Sequence, residues 1–265
     1  MAPMTSRPKP DPASGVFTTM LVVNGAPVAL SAHLARLEAS TEVVYGIRLP
    51  AATEEQARDR AKGLGLGRLR LTFTPGAEDL DMEAGELDRS LHFPTRPIAL
   101  VGHQANGGLG CHKWVDRAML PAASPGEAAL LIDGDEVLEA AWANVFAARD
   151  GALFTPPLDG RILPGVTRAT IVELARSEGV EVTERPLAVE ELKQADEVFL
   201  TNSTRGIELI DAVDGAPLGE ERPLTLRLGK ALRTRWKTAA PELDRSPHQL
   251  LQPSGESISP LVKPL

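Results

Sequence analysis

Residues 139–168 read EAAWANVFAARDGALFTPPLDGRILPGVTR, a carboxylate, a hairpin and a helix start in one continuous run. Asn144, Val145 and Phe146 open a β-rich segment, Asp150-Gly151 is a pair suited to a tight turn, and Leu153 to Thr155 resumes extended chain before Pro156-Pro157. Pro164-Gly165 then breaks the backbone and Thr167 is placed to cap a helix. Ile171, Leu174 and Ala175 recur at helical spacing as far as Gly179, a stop signal. The free N–H groups of such a helix start suit an anion, especially a phosphate. Hairpin followed by helix start makes this run the wall of a binding site.

Outward from that wall, the chain mixes both kinds of element. Ser31 is expected to cap a helix holding Leu34 and Leu37, and Thr53-Glu54-Glu55-Gln56 has the form of a capping box for a second helix. Between them and the centre, Leu69, Leu71 and Phe73 alternate with Arg68, Arg70 and Thr72, which is a strand. The glycines at 63, 65 and 67 precede that strand instead of joining strand to helix, so they read as a turn and not a dinucleotide loop. Further strands are expected at 98–101, 128–132, 145–148, 180–183, 198–201 and 207–213, with helices after Thr167 and Pro223. The Gly- and His-containing stretch 103–110 is the candidate connection, with the boundary near residue 107. That gives a flexible tail over 1–14, a smaller α/β domain over 15–106, a larger domain over 107–240 and a second tail over 241–265.

Composition narrows the class. A chain of 265 residues that is 43% hydrophobic can build one large core or two ordinary ones. A net charge of −8 argues against a general binder of nucleic acid or anionic membrane. No apolar run is long enough to cross a bilayer, and MAPMTSRPKPDPASG lacks the apolar core of a signal peptide, so a cytoplasmic protein is expected. The single Cys111 excludes an intrachain disulfide, and with His112 it is too little for a protein zinc site.

Glu139, Asn144-Val145-Phe146, Thr155-Pro156-Pro157 and Ile162-Leu163-Pro164-Gly165-Val166-Thr167-Arg168 together resemble, in order, the motifs of the class IV aminotransferase family. The similarity continues through Val16-Phe17-Thr18-Thr19, His33-Leu34-Ala35-Arg36-Leu37 and Ala195-Asp196-Glu197-Val198-Phe199. Within the family, Phe17-Thr18-Thr19 and the stretch from His112 to Arg117 look most like the 4-amino-4-deoxychorismate lyases. The resemblance implies an α/β (α+β), two-domain pyridoxal-phosphate fold of type IV, like the D-amino-acid and branched-chain aminotransferases, working as a homodimer with pyridoxal 5'-phosphate between the domains. It implies conversion of 4-amino-4-deoxychorismate to 4-aminobenzoate and pyruvate, with aminodeoxychorismate synthase supplying the substrate. The alternative is a transaminase acting on branched-chain or D-amino acids.

The resemblance also assigns roles. Of seven lysines, Lys113 corresponds to the one that bonds to the cofactor; Lys9 and Lys263 fall in the tails, and Lys62, Lys193, Lys230 and Lys237 among solvated residues. Glu139, five residues before Asn144, corresponds to the partner of the pyridine nitrogen, with Glu136 a nearby competitor. Phosphate capture falls to Arg36, to Val166 with Thr167, and to Ser203 with Thr204. Thr19 is the residue associated with proton transfer in the lyases, and alternation sends Thr18 to the opposite face. The family's arginine after the second-helix strand is replaced here by Thr74-Pro75-Gly76, which leaves Arg205 as the candidate for a substrate carboxylate.

Overall fold

The computed structural model describes residues 9–122 and 124–238. Two sheets divide the strands. The smaller contains β1 (Val16–Val23), β2 (Ala26–Pro27), β3 (Leu66–Phe73) and β4 (Asp81–Glu86) in the order β2-β1-β3-β4, with α1 (Leu30–Tyr45) and α2 (Thr53–Ala61) inserted between β2 and β3. The alternation read in β3 is realised: Leu69 and Leu71 are fully buried against Met20, Leu37 and Ala57.

The larger sheet is built from β5 (Ile98–Gln104), β6 (Glu127–Asp133), β7 (Glu136–Ala140), β8 (Asn144–Arg149), β9 (Ala152–Thr155), β10 (Val182–Glu184), β11 (Glu197–Asn202), β12 (Gly206–Val213) and β13 (Ala216–Pro217). Its order is β10-β9-β8-β11-β12-β5-β6-β7, with β13 on β12. The proposed boundary near residue 107 falls just after β5, which pairs with β12 and β6 in this sheet. Asp150 and Gly151 both take positive φ (52° and 79°) in the β8–β9 turn, the conformation that lets a two-residue loop match strand twist. β8 and β11 are buried on both faces. Phe146 and Phe199 stack with centroids 5.1 Å apart, on the face covered by α3 (Val166–Ser177) and α5 (Pro223–Thr238). Val145, Ala147, Val198 and Leu200 meet Leu192 of α4 (Val189–Lys193) in a second core. None of the described helices is long and apolar enough to cross a membrane.

The helix starts differ from the capping pattern in the sequence. α1 begins from Ala29, held in the left-handed region at φ 52°, and Ser31 lies inside the helix without capping it. Leaving β2 through this residue starts the helix early, with Ala29 already accepting the His33 N–H at 3.1 Å. α2 begins from Ala52; Thr53 is its first helical residue, its N–H given to Pro50 O and its buried hydroxyl without a partner. The N-terminal stretch forms one turn over Pro12–Ser14. The C-terminal tail, 241–265, lies outside the described residues.

α5 is capped by a different strand. The buried Glu197 carboxylate of β11 accepts the N–H groups of Leu224 and Thr225, at 2.9 and 2.7 Å. Two donors that the helix itself cannot satisfy, and the positive end of its dipole, thus meet one anion. Glu197→Ala leaves both donors unanswered and is expected to cost about 2–3 kcal/mol, read as a lower urea midpoint; an unchanged midpoint would mean that water replaces the carboxylate without loss.

Candidate active site

The segment between β5 and β6 runs back across the smaller sheet. Phe17 donates its N–H to Lys113 O at 2.8 Å, and Val115 donates to Gly15 O at 3.0 Å. Gly15 itself takes φ +93° and has no room for a side chain against β3, since a Cβ there would sit 2.0 Å from Phe73 O. The Lys113 side chain is partly buried, with Nζ 5.1 Å from the centre of the Phe17 ring. Burial, then the charges of Arg36 and Arg117, pull its pKa down to about 7 against the opposing pull of Glu139.

Glu139 ends up beside Asn144 because β7 turns into β8 within four residues, closed by Ala140 N–H on Ala143 O at 2.8 Å. Asn144 Nδ2 donates to Glu139 Oε2 at 3.3 Å and to Leu163 O at 2.9 Å, while Leu163 N–H donates to the same Oε2 at 3.2 Å. Burial pushes Glu139 up to about 8, opposed by the Leu163 N–H and by Lys113, Arg117 and Arg36. Burial drives both Lys113 and Glu139 toward their neutral forms, so a cationic group placed on Glu139 would restore its charge. Glu136, the competitor, is instead bound by Arg161.

Three of the phosphate candidates, Arg36, Thr167 and Ser203, line the same cavity. Arg36, buried on α1, donates from Nη2 to Thr18 Oγ1 at 3.1 Å and from Nη1 to Pro164 O at 3.3 Å; burial lowers it to about 10. The Thr167 and Ser203 hydroxyls are 3.1 Å apart. Thr167 does not cap α3: Gly165 occupies the cap, and Thr167 is the second helical residue with its hydroxyl turned to the Ser203 loop. Val166 opens the helix, so its N–H and that of Thr167 are among those with no intrahelical acceptor. Arg36, Lys113, Glu139, Asn144, Thr167 and Ser203 all line one cavity. Thr19 and Thr204 line an adjoining one with Lys113 and Ser203.

Arg205 lines neither cavity. It pairs with Glu208 at 2.8 Å and lies over the Trp142 ring at 5.4 Å. Three neighbours escaped the sequence reading. Thr18 and His33 support Arg36, the Thr18 hydroxyl lying 2.8 Å from His33 Nδ1, and Arg117 lines both cavities. His33 stands in the His33–Leu37 stretch and Arg117 four residues after Lys113, so spacing held the only signal for either.

Pyridoxal phosphate fits what is present. Thr201 Oγ1, buried on the cavity wall, has no partner among the described residues, and it stands among hydroxyls, a guanidinium and a helix start suited to a phosphate. Lys113 and Glu139, lining the same cavity, are an amine and a carboxylate of the kinds that the aldehyde and the ring nitrogen would need.

Comparison with known proteins agrees. Residues 15–106 and 115–213 match the family model described as Amino-transferase class IV. The branched-chain-amino-acid aminotransferase of Escherichia coli K12 is 43% identical over 97 residues, which is 36% of this chain and spans only 31% of that relative's length. A Methanocaldococcus jannaschii protein, provisionally named a branched-chain-amino-acid aminotransferase, is 37% identical over 84% of this chain and 88% of its own. Among solved structures, the 4-amino-4-deoxychorismate lyase of Pseudomonas aeruginosa superposes with a TM-score of 0.71 at 26% identity, covering 89% of this chain and 97% of the lyase.

Gly165 is the narrowest point of the site, since a Cβ there would lie 2.0 Å from Asn144 Oδ1. Gly165→Ala is expected to displace Asn144 and weaken retention of pyridoxal phosphate about tenfold, measured by absorbance of bound cofactor after dialysis. Full retention would show that Asn144 turns aside harmlessly.

Proposed function

The chain belongs to the amino-transferase class IV family, which depends on pyridoxal phosphate, and on that premise we propose that it is a lyase converting 4-amino-4-deoxychorismate to 4-aminobenzoate and pyruvate. The observation that carries this reading is Thr19. Its side chain shares a strand face with Phe17 and lines the cavity that holds Lys113, whereas Thr18 is taken up by His33 and Arg36 on the other face. A second support is that Tyr45, the chain's only tyrosine, donates to Pro12 O at 2.7 Å and packs on Phe73, lining neither cavity. The 26% identity to the Pseudomonas lyase across nearly the whole chain points the same way.

On this reading Arg36, the start of α3 and the Ser203-Thr204 loop hold the phosphate, and Glu139, fixed by Asn144 and Leu163, holds a proton at the pyridine nitrogen. The bound cofactor supplies an electron sink for the pair released at the substrate's amine-bearing carbon. Lys113, neutral in part because of its lowered pKa, takes the proton from that carbon. The C–O bond to the enolpyruvyl group breaks, the ring becomes aromatic, and Thr19 relays the proton held by Lys113 to the departing methylene carbon to give pyruvate. No water or oxidant is consumed, since the two products together have the substrate's atoms. The working form is a cytoplasmic homodimer fed by aminodeoxychorismate synthase.

The second reading is an aminotransferase acting on branched-chain or D-amino acids, and the archaeal relative, more identical over most of the chain, favours its branched-chain form. Loaded with pyridoxal phosphate and given 4-amino-4-deoxychorismate, the wild type is expected to release pyruvate and Lys113→Ala to release none. Thr19→Ala should lower kcat about 10²- to 10⁴-fold with cofactor retained. No pyruvate from the wild type, with keto acid formed from leucine or D-alanine and 2-oxoglutarate, would transfer the site to the second reading. Lys113 is a base only when neutral, and the bound phosphate and carboxylate raise its pKa above the empty site's value of about 7, so kcat should fall on the acid side of that raised pKa; a flat profile through neutral and mildly alkaline pH would remove Lys113 as the base.

A further inference from the structure

The cavity shared by Thr19 and Lys113 also contains Arg117, and Arg70 stands opposite Thr19 in the β1–β3 register. Among the described residues neither arginine is in an ion pair with Asp or Glu, although the charges of Glu83 and Asp81 act on Arg70 and that of Glu139 on Arg117. Arg117 donates from Nη2 to Ala141 O. Arg70 donates from Nε to Thr72 Oγ1 at 3.2 Å and lies over the Phe17 ring at 3.8 Å. The remaining N–H groups of the two are not fully buried, so they are open to a ligand in the cavity. Burial is the main influence lowering the pKa of each. A guanidinium largely removed from water without a paired carboxylate, as Arg117's is, is costly unless an anion arrives.

Arg205 is in the opposite condition. Glu208 already answers its charge at 2.8 Å, and the other oxygen of that buried carboxylate accepts Trp142 Nε1 at 2.9 Å.

We propose that Arg117, with Arg70 adding to the field, receives the ring carboxylate of the substrate in the cavity beside Lys113, the task the sequence had offered to Arg205. This rests on the lyase reading above. The ring carboxylate is the one that a rigid six-membered ring holds at a set distance from the amine, so a fixed guanidinium can read it, whereas the enolpyruvyl carboxylate turns on a rotatable ether. Arg117 then distinguishes 4-amino-4-deoxychorismate from amines that lack a ring anion.

The product 4-aminobenzoate keeps that carboxylate and serves as the probe, titrated calorimetrically into pyridoxal-phosphate-loaded wild type, Arg117→Met and Arg117→Lys. Arg117→Met is expected to weaken binding about 10- to 100-fold and to raise KM for pyruvate release more than it lowers kcat, with cofactor content intact. Arg117→Lys should recover part of the affinity, and it decides the matter if the Met variant loses its cofactor. Wild-type affinity in Arg117→Met, no binding to the wild type, or a larger loss in Arg205→Met than in Arg117→Met would overturn the assignment. Failure of the lyase reading looks different: 4-aminobenzoate still binds through Arg117, and no pyruvate forms.

Discussion

Two backbone hydrogen bonds, Phe17 N–H to Lys113 O and Val115 N–H to Gly15 O, join the smaller sheet to the segment that carries the amine. The site depends on them because its parts come from opposite sides of this seam. Thr19 and Arg70 belong to the smaller sheet, Arg36 to the helix packed on it, and Glu139, Asn144, Thr167 and Ser203 to the larger. Gly15, whose carbonyl accepts one of these bonds, lies too close to Phe73 of β3 to carry a side chain.

The seam gathers positive charge in a chain whose net charge is −8. Arg36, Arg70, Arg117 and Lys113 act on one another across it, with Glu139 the carboxylate that acts on Lys113. A cleft of one sign with low-dielectric walls concentrates anions. A phosphate and a carboxylate are the groups that relieve such a field, and the arrangement lowers the lysine's basicity until they bind.

Much of this was legible in the chain. Alternation in β3 and the Asp150-Gly151 turn follow from local chemistry, and Lys113, Glu139 and Asn144 stand in ordered motifs. The helix caps were not legible. Ser31, Thr53 and Thr167 have capping side chains, yet the chain enters each helix through Ala29, Ala52 or Gly165, positions fixed by the preceding turn. Arg205 looked available because it follows Ser203-Thr204, but Glu208 lies one turn of sequence away and takes it. Arg117 looked like any charged residue, since nothing local says which arginine will lack a counter-ion.

β11 has a different task at each end. Glu197 opens the strand and fastens α5, while Thr201 near its other end, and Ser203 just beyond, belong to the cavity wall. One short strand, buried on both faces, therefore joins the anchorage of the last helix to the wall of the cavity, the cup proposed for the phosphate. Ligand binding that steadies the cup is linked through this strand to the helix's attachment, so the loaded protein should expose its last helix to proteases less often than the empty one.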